Sequence, residues 1–234
     1  MTVSAARMRR RLMFADRAEA GLLLAAQLKA LGLDHPVVFA LPRGGVPIGA
    51  EVARSLAAPL DLVFARKLGA PQQPELAIGA VAGVIAAPEI VLNRQLIASL
   101  GLSEEFILQS AQRELAVIER QRARYAAVRP RLSPEQPTAI VVDDGVATGM
   151  TMQAALRHLR SAQPTRLIAA TPVAARAAAH MLQREADQAV LLSVPRRFGS
   201  VGGFYRSFTQ VSDEEVVALL GACNGRSAAW GGAC

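Results

Sequence analysis

A short apolar run that ends in two carboxylates, Ala139-Ile-Val-Val142 followed by Asp143-Asp144 and then Gly145-Val-Ala-Thr-Gly-Met-Thr151, constrains this chain more than any other stretch. The run is brief, mostly β-branched and flanked by polar residues, so it predicts a strand buried on both faces. Its carboxyl end then delivers Asp143 and Asp144 to the edge of a sheet. Met150 to Leu159 continues with good helix formers. The turn from Gly145 to Thr151 therefore closes on a helix N-terminus, where unpaired N–H groups and the macrodipole favour an anion such as phosphate.

Two adjacent carboxylates beside a phosphate cradle make a specific demand. They repel phosphate oxygens but accept hydrogen bonds from a sugar diol, so the implied ligand carries vicinal hydroxyls on one side and a phosphate on the other. A ribose 5-phosphate has that form. The dinucleotide and P-loop glycine patterns, GxGxxG and GxxxxGK[ST], are both absent. An ordinary strand-turn-helix whose acids only cap the turn is the plain alternative. At nearly every position the stretch resembles the phosphoribosyl-pyrophosphate (PRPP) signature of type I phosphoribosyltransferases. The resemblance implies that Asp143 and Asp144 hold the ribose 2′ and 3′ hydroxyls, while Ala147, Thr148, Gly149, Met150 and Thr151 wrap the 5′-phosphate. Ala147 departs from many purine-specific members, which carry an Asp there to assist proton transfer at the base. No base-side general acid is expected from this loop.

A second strand-turn-helix precedes it. Val37 to Leu41 reads as a strand running into Pro42-Arg-Gly-Gly-Val-Pro47, with a helix from Ile48 to Leu56. Paired glycines let backbone amides approach an anion, and Arg43 adds a bidentate donor. By resemblance, Arg43, Gly44 and Gly45 bind the pyrophosphate of PRPP, with a non-proline cis peptide between Pro42 and Arg43. An ordinary tight turn is the alternative reading.

The rest of the chain alternates strand and helix. Phe14, Ala18, Leu22, Ala25, Leu28 and Leu31 recur at helical spacing and predict an amphipathic helix over Ala15 to Leu31, stopped by Gly32. Its opening, Phe14-x-Asp-Arg-x-Glu-Ala-Gly21, also looks like the start of a bacterial branch of phosphoribosyltransferase-like proteins. After a strand over Asp61 to Ala65 come Arg66 and Lys67, then Gly69-Ala-Pro-Gln-Gln-Pro-Glu75, a composition that predicts a mobile loop. The resemblance makes that loop a lid closing over PRPP, with Arg66 and Lys67 meeting pyrophosphate charge; a solvated surface pair is the alternative.

Ile78 to Ala86 and Glu89 to Leu92 read as a hairpin at the sheet edge, since Pro88 disfavours a central position. Ser103 caps a long helix, Glu104 to Val128, whose Arg113, Arg120, Arg122 and Arg124 read as a solvated face. Pro130 and Pro137 bracket a linker. Arg166 to Pro172 and Ala189 to Val194 are further strands, with a helix from Val173 to Glu185 between them. In Pro195 to Phe208, Phe204 or Tyr205 could stack on a base in the manner of the family's hood, although core packing under a loop competes for both rings. Ser212-Asp-Glu-Glu215 is a capping box opening a helix to Leu220, and residues 221–234 read as a frayed tail.

The expected fold is α/β: a doubly wound, mainly parallel sheet with a small hood and an inserted helical segment, in a single domain over residues 1–220. A net charge of +7 and a pI near 10.6 suit a phosphate-rich ligand or nucleic acid. Aromatics at 4% are too few for the stacking platforms that grip single strands, which argues against nucleic acid as the partner. With only Cys223 and Cys234, no disulfide framework is expected and a reducing cytoplasm is the default. His35, His158 and His180 show no metal spacing, and no signal-peptide core or membrane span is read from the sequence.

The resemblance implies transfer of the 5-phosphoribosyl group from PRPP to a nitrogen acceptor such as a nucleobase. It also implies Mg²⁺ bound mainly through PRPP rather than by a protein metal site, and by analogy a homodimer. Two other functions stay open: a PRPP-sensing regulator without turnover, and a phosphosugar hydrolase or phosphorylase using the same cradle.

Overall fold

The computed structural model describes residues 13–129 and 138–224. Five parallel strands form the central sheet: β1 (Pro36–Ala40), β2 (Leu60–Leu62), β6 (Thr138–Val142), β7 (Arg166–Val173) and β8 (Gln188–Ser193), in the order β2-β1-β6-β7-β8. Period-two alternation sends successive side chains to opposite faces, and both faces are covered. Val38, Ala40, Ile140, Val142, Ile168 and Ala170 join one apolar cluster, while Val37, Phe39, Leu41, Ala139, Val141 and Leu167 join another.

Helices α1 (Arg17–Lys29), α2 (Gly45–Leu56) and α7 (Asp213–Asn224) pack on the first face. Helices α5 (Met150–Arg160) and α6 (Arg176–Glu185) cover the second. The chain therefore leaves β1 toward one edge and β6 toward the other, with α2 and α5 on opposite faces. Between these two neighbouring strands the winding reverses, the place where open α/β sheets leave a crevice for ligands.

The parallel, doubly wound sheet is the expected one, and the hood-like element is a second sheet. Strands β3 (Ala65–Ala70), β4 (Gln73–Val84) and β5 (Ala87–Leu92) pair antiparallel in the order β3-β4-β5. This corrects two expectations. The hairpin lies in its own sheet instead of on the edge of the parallel one, and the segment read as a mobile loop, Gly69 to Glu75, is a β-turn with its flanking strands. Gln72, at φ 60°, takes the left-handed turn position. Two prolines and a glycine gave the segment a loop-like composition, but its backbone amides pair across the hairpin.

The small sheet is held between α4 (Glu104–Tyr125), which buries Ala111, Leu115 and Ile118, and α5, whose Ala154 meets Ala80, Ala82 and Val91. A short helix that the sequence reading missed, α3 (Arg94–Ser99), leads into α4 and is capped by Asn93 accepting from the Leu96 amide at 3.0 Å. Ser103 caps α4 as expected, accepting from the Phe106 amide at 3.2 Å.

Two further boundaries move, and one helix turns a different face to the core. The strand read over Asp61 to Ala65 ends at Leu62, because the chain leaves the parallel sheet there and Ala65 already begins the antiparallel one. The buried face of α1 is Ala20, Gly21, Leu24, Ala25 and Leu28, with Leu22 54% exposed. Gly21 allows this close packing, since a Cβ there would lie 2.8 Å from the Glu51 Cβ and 3.1 Å from the Ile48 carbonyl. Helix α7 runs past Leu220 to Asn224 and buries Cys223, so the first four residues of the supposed tail belong to the helix. The remaining tail, the linker from Pro130 to Pro137 and Cys234 lie outside the described residues. Among the described residues no helix is long and apolar enough to cross a membrane.

Candidate functional site

Strands β1 and β6 run side by side in register, Ala40 opposite Val142, so their carboxyl ends emerge together. The turns that leave these two strands were expected to face one ligand, and the geometry brings them into contact. A Cβ placed on Gly44 would lie 2.2 Å from Asp144 Oδ2. One on Gly45 would lie 2.7 Å from the Val142 carbonyl and 3.0 Å from the Asp143 Cα. Only glycine at these positions lets the turn close against the acid pair. The Pro42–Arg43 peptide is cis.

The loop after β6 is rich in unsatisfied donors. Val146 is bound on both sides, its amide donating to the Val173 carbonyl at 2.8 Å and its carbonyl accepting from Ala175 at 2.8 Å. Gly149, at φ 85°, makes the left-handed bend that α5 starts from. The next helical bond runs from the Gln153 amide to the Gly149 carbonyl at 2.8 Å. Among the described residues the amides of Ala147, Thr148, Gly149, Met150 and Thr151 therefore have no acceptor. Five converging N–H groups at a helix N-terminus form an anion cradle. In the other turn the Gly45 amide is spent on the Leu41 carbonyl at 3.0 Å, which leaves those of Arg43 and Gly44 open.

The acid pair is half-buried and strongly biased. Asp143 Oδ1 accepts from the Asp144 amide at 2.8 Å. Asp144 Oδ2 accepts from Arg17 Nε at 2.9 Å and pairs with its Nη2 at 2.8 Å. Burial pushes the Asp143 carboxyl well above the usual carboxylate range, and the charge of Asp144 pushes it the same way. The Asp144 carboxyl is also raised by burial, with the Arg17 guanidinium pulling it back down.

Sequence reasoning overlooked Arg17. It treated the helix from Ala15 as packing, although the Phe14-x-Asp-Arg motif at its start was a signal that this turn does more than fill space. Asp16 caps α1 by accepting from the Glu19 amide at 2.9 Å, which sets Arg17 as the first helical residue.

The remaining candidates are placed elsewhere. Arg43 Nη1 lies 3.7 Å from Asp213 at the start of α7, a carboxylate that also receives the Tyr125 hydroxyl and Arg124. Arg66 is paired with Glu114 on α4, and Lys67 with Glu75 across its hairpin at 2.6 Å, so both charges are engaged outside the two turns. Phe204 is 0% exposed and Tyr205 6%, which corrects the expectation that either offers a ring to a base. Their aromatic faces are spent on Phe198, Phe14 and Phe208. Tyr205 instead fixes the acid pair from behind, its hydroxyl donating to the Asp144 carbonyl at 2.6 Å.

The acid pair offers hard carboxylate oxygens to the crevice, one still open on each residue. They fit a Mg²⁺ ion as a fraction of an octahedral shell whose other oxygens a phosphorylated ligand would bring. Among the described residues no group of three His, Cys, Asp or Glu side chains is arranged to hold a metal.

A family model for the phosphoribosyl transferase domain matches residues 18–197. Two Mycobacterium tuberculosis proteins, from strains CDC 1551 / Oshkosh and H37Rv, carry the provisional description phosphoribosyl transferase; each is 40% identical over 210 residues, 89% of this chain and 46% of its own length. The chain thus spans about half the length of the curated relatives it matches. The crystal structure of TT1426 from Thermus thermophilus superposes with a TM-score of 0.74 at 41% identity, covering 91% of this chain and 100% of that one.

Proposed function

This chain belongs to the phosphoribosyl transferase domain family, and from that membership we propose that it moves the 5-phosphoribosyl group of PRPP to a nitrogen nucleophile, a nucleobase being the expected acceptor class. One observation carries the reading: the glycine turn after β1 and the acid pair after β6 touch, so a single sugar diphosphate can bridge both cradles. In this reading Asp143 and Asp144 hold the 2′ and 3′ hydroxyls, and the amides of residues 147–151 take the 5′-phosphate. The turn at Arg43, Gly44 and Gly45 receives the pyrophosphate.

The acceptor nitrogen forms the new bond to C1 as the C1–oxygen bond to pyrophosphate breaks, with the electron pair leaving on the diphosphate. The nitrogen's proton passes to solvent or the departing group, since Ala147 supplies no acid. Mg²⁺ carried on PRPP oxygens would neutralise charge on the leaving group. The chain's own contribution is positional: it fixes the sugar at two ends and aims donors at the charge that develops. Arg43 would exchange Asp213 for the diphosphate.

A second reading, a PRPP-binding regulator without turnover, draws support from the pairing of Arg43, Arg66 and Lys67 with carboxylates. Incubation with PRPP and Mg²⁺, with and without a panel of bases, separates the readings. Base-dependent pyrophosphate release is expected. Binding without release would favour the regulator, release without any base a hydrolase, and no binding would defeat them all.

A further inference from the structure

The guanidinium of Arg17 spends all three of its nitrogens within the site. Nε and Nη2 both reach Asp144 Oδ2, at 2.9 and 2.8 Å, while Nη1 donates to the Thr209 carbonyl at 2.7 Å. Its plane lies 3.9 Å above the Phe208 ring, and the side chain is 11% exposed. Few surface ion pairs are so fixed: a hydrogen bond and a second close charge contact to one oxygen, a backbone contact and a stacked ring leave one geometry.

The other side of Asp144 Oδ2 is closed as well. It faces the Gly44 backbone, where a Cβ would fall 2.2 Å away, and the Asp144 carbonyl is held by Tyr205. Each member of the acid pair then has one tied oxygen and one open one. Asp143 Oδ1 is taken by the Asp144 amide and Asp144 Oδ2 by Arg17. Asp143 Oδ2 and Asp144 Oδ1 have no donor among the described residues. Two open oxygens on successive residues match the two hydroxyls of a vicinal diol. Without the guanidinium, two half-buried carboxylates would repel each other, and Asp144 could relieve this by turning toward solvent.

From this arrangement we propose that Arg17 is a positioning residue for the sugar. By pinning Asp144 Oδ2 it dictates which oxygen of Asp144 meets a hydroxyl, and so sets the preference for a ribose over a 2-deoxyribose phosphate. The proposal rests on the ribosyl-binding reading above and adds the residue that makes diol recognition selective.

Its test needs no acceptor. Binding of ribose 5-phosphate and of 2-deoxyribose 5-phosphate to the full chain, measured by titration calorimetry, gives a ratio of affinities. General loosening of the fold weakens both ligands and leaves that ratio in place. The wild type is expected to favour ribose 5-phosphate by roughly tenfold or more, the scale of one hydrogen bond to a charged acceptor. Arg17→Met brings the ratio close to one. Arg17→Lys reaches Oδ2 but not the Thr209 carbonyl as well, and gives an intermediate value. Should Arg17→Met fail to fold, Phe208→Ala, at a ring 39% exposed, removes the shelf under the guanidinium and lowers the ratio in the same sense. A wild-type ratio near one, or an unchanged ratio in Arg17→Met or its substitute Phe208→Ala, overturns the role of Arg17 while leaving ribosyl binding standing. A wild type that binds neither sugar phosphate overturns the ribosyl reading itself.

Discussion

Asp143 sets the acid pair's cost to the fold. Burial and the neighbouring Asp144 charge raise its carboxyl, so the native chain holds a proton at pH values where the unfolded one, near 4, has lost it. Stability linked to this group therefore falls as pH rises from about 4 through the raised value, because the native state binds more protons across that window. Asp143→Asn is expected to remove this fall and to raise Tm at neutral pH, by roughly 2–4 °C for each kcal/mol of relieved repulsion. The same change should abolish binding of PRPP. Melting curves from pH 4 to 8 check the first effect; an unchanged slope against the wild type would count against a proton held at Asp143.

Gly44 supplies a second residue-level outcome. Its φ of −62° suits any residue, so Gly44→Ala acts only through the collision of its Cβ with Asp144 Oδ2. A cost of about 1–3 kcal/mol and loss of PRPP binding are expected, because the clash falls on the pinned oxygen. Gly199→Ala, where a Cβ would meet nothing within 4 Å, is the control and should behave as wild type in both assays.

Elements divide into those whose sequence pattern was self-sufficient and those whose meaning came from distant partners. Strands β1, β6 and β7 were legible because strands buried on both faces read as near-continuous apolar runs; β8, an edge strand with only Val190 buried, was legible from its Ala-Val-Leu-Leu run, and all four had ends within a residue or two. The caps at Ser103 and Ser212 were legible for a local reason, a side-chain oxygen three residues before its amide. The hairpin at Gly69 to Glu75 was not, since its order comes from pairing with the rest of the small sheet. Nor was the end of α7. There Asn224 acts as a substitute strand for β2: its Oδ1 accepts from the Leu60 amide at 3.2 Å and its Nδ2 donates to the Leu60 carbonyl at 3.0 Å. This covers an otherwise open sheet edge. Asn224→Ala should cost about 1–2 kcal/mol by leaving both Leu60 groups unpaired, read from denaturant midpoints. On the same strand, Asp61 is 3% exposed and takes two bonds from Arg129, at 2.6 and 2.8 Å. Asp61→Ala leaves that guanidinium without its partner and is expected to cost about 3 kcal/mol.

At the level of the whole molecule, recognition depends on a winding reversal that places two loops from separate parts of the chain in one crevice. The sequence showed both loops, and the parallel α/β reading made their convergence an expectation; the contact of Gly44 with Asp144 supplies the distance. It did not show Arg17 meeting Asp144, a pairing across 127 positions that no local pattern encodes. Saturating PRPP with Mg²⁺ should stabilise the whole fold, by about 2.7 kcal/mol at a hundred times Kd, and Asp143→Asn should erase that shift. A thermal shift retained in Asp143→Asn would place the ligand elsewhere.

Phe14 and Tyr205 are bridged in parallel, with the Arg206 amide donating to the Phe14 carbonyl at 2.9 Å and that of Ser207 to Ala15 at 2.9 Å. A ribosome makes the first of these residues some 190 positions before the others. The crevice walls can therefore assemble while the nascent chain is still growing, whereas the clasp formed by Arg17, Tyr205 and Thr209 closes only after nearly all of the described chain has emerged. Arg17 is made before the carboxylates, but Tyr205 and Thr209 follow them by about 60 residues, an interval of roughly 3–12 s at about 5–20 residues per second in which the ion pair lacks the contacts that fix it. Emergence of residues 204–209, rather than synthesis of either loop, is then the step that lets the pocket take its final form.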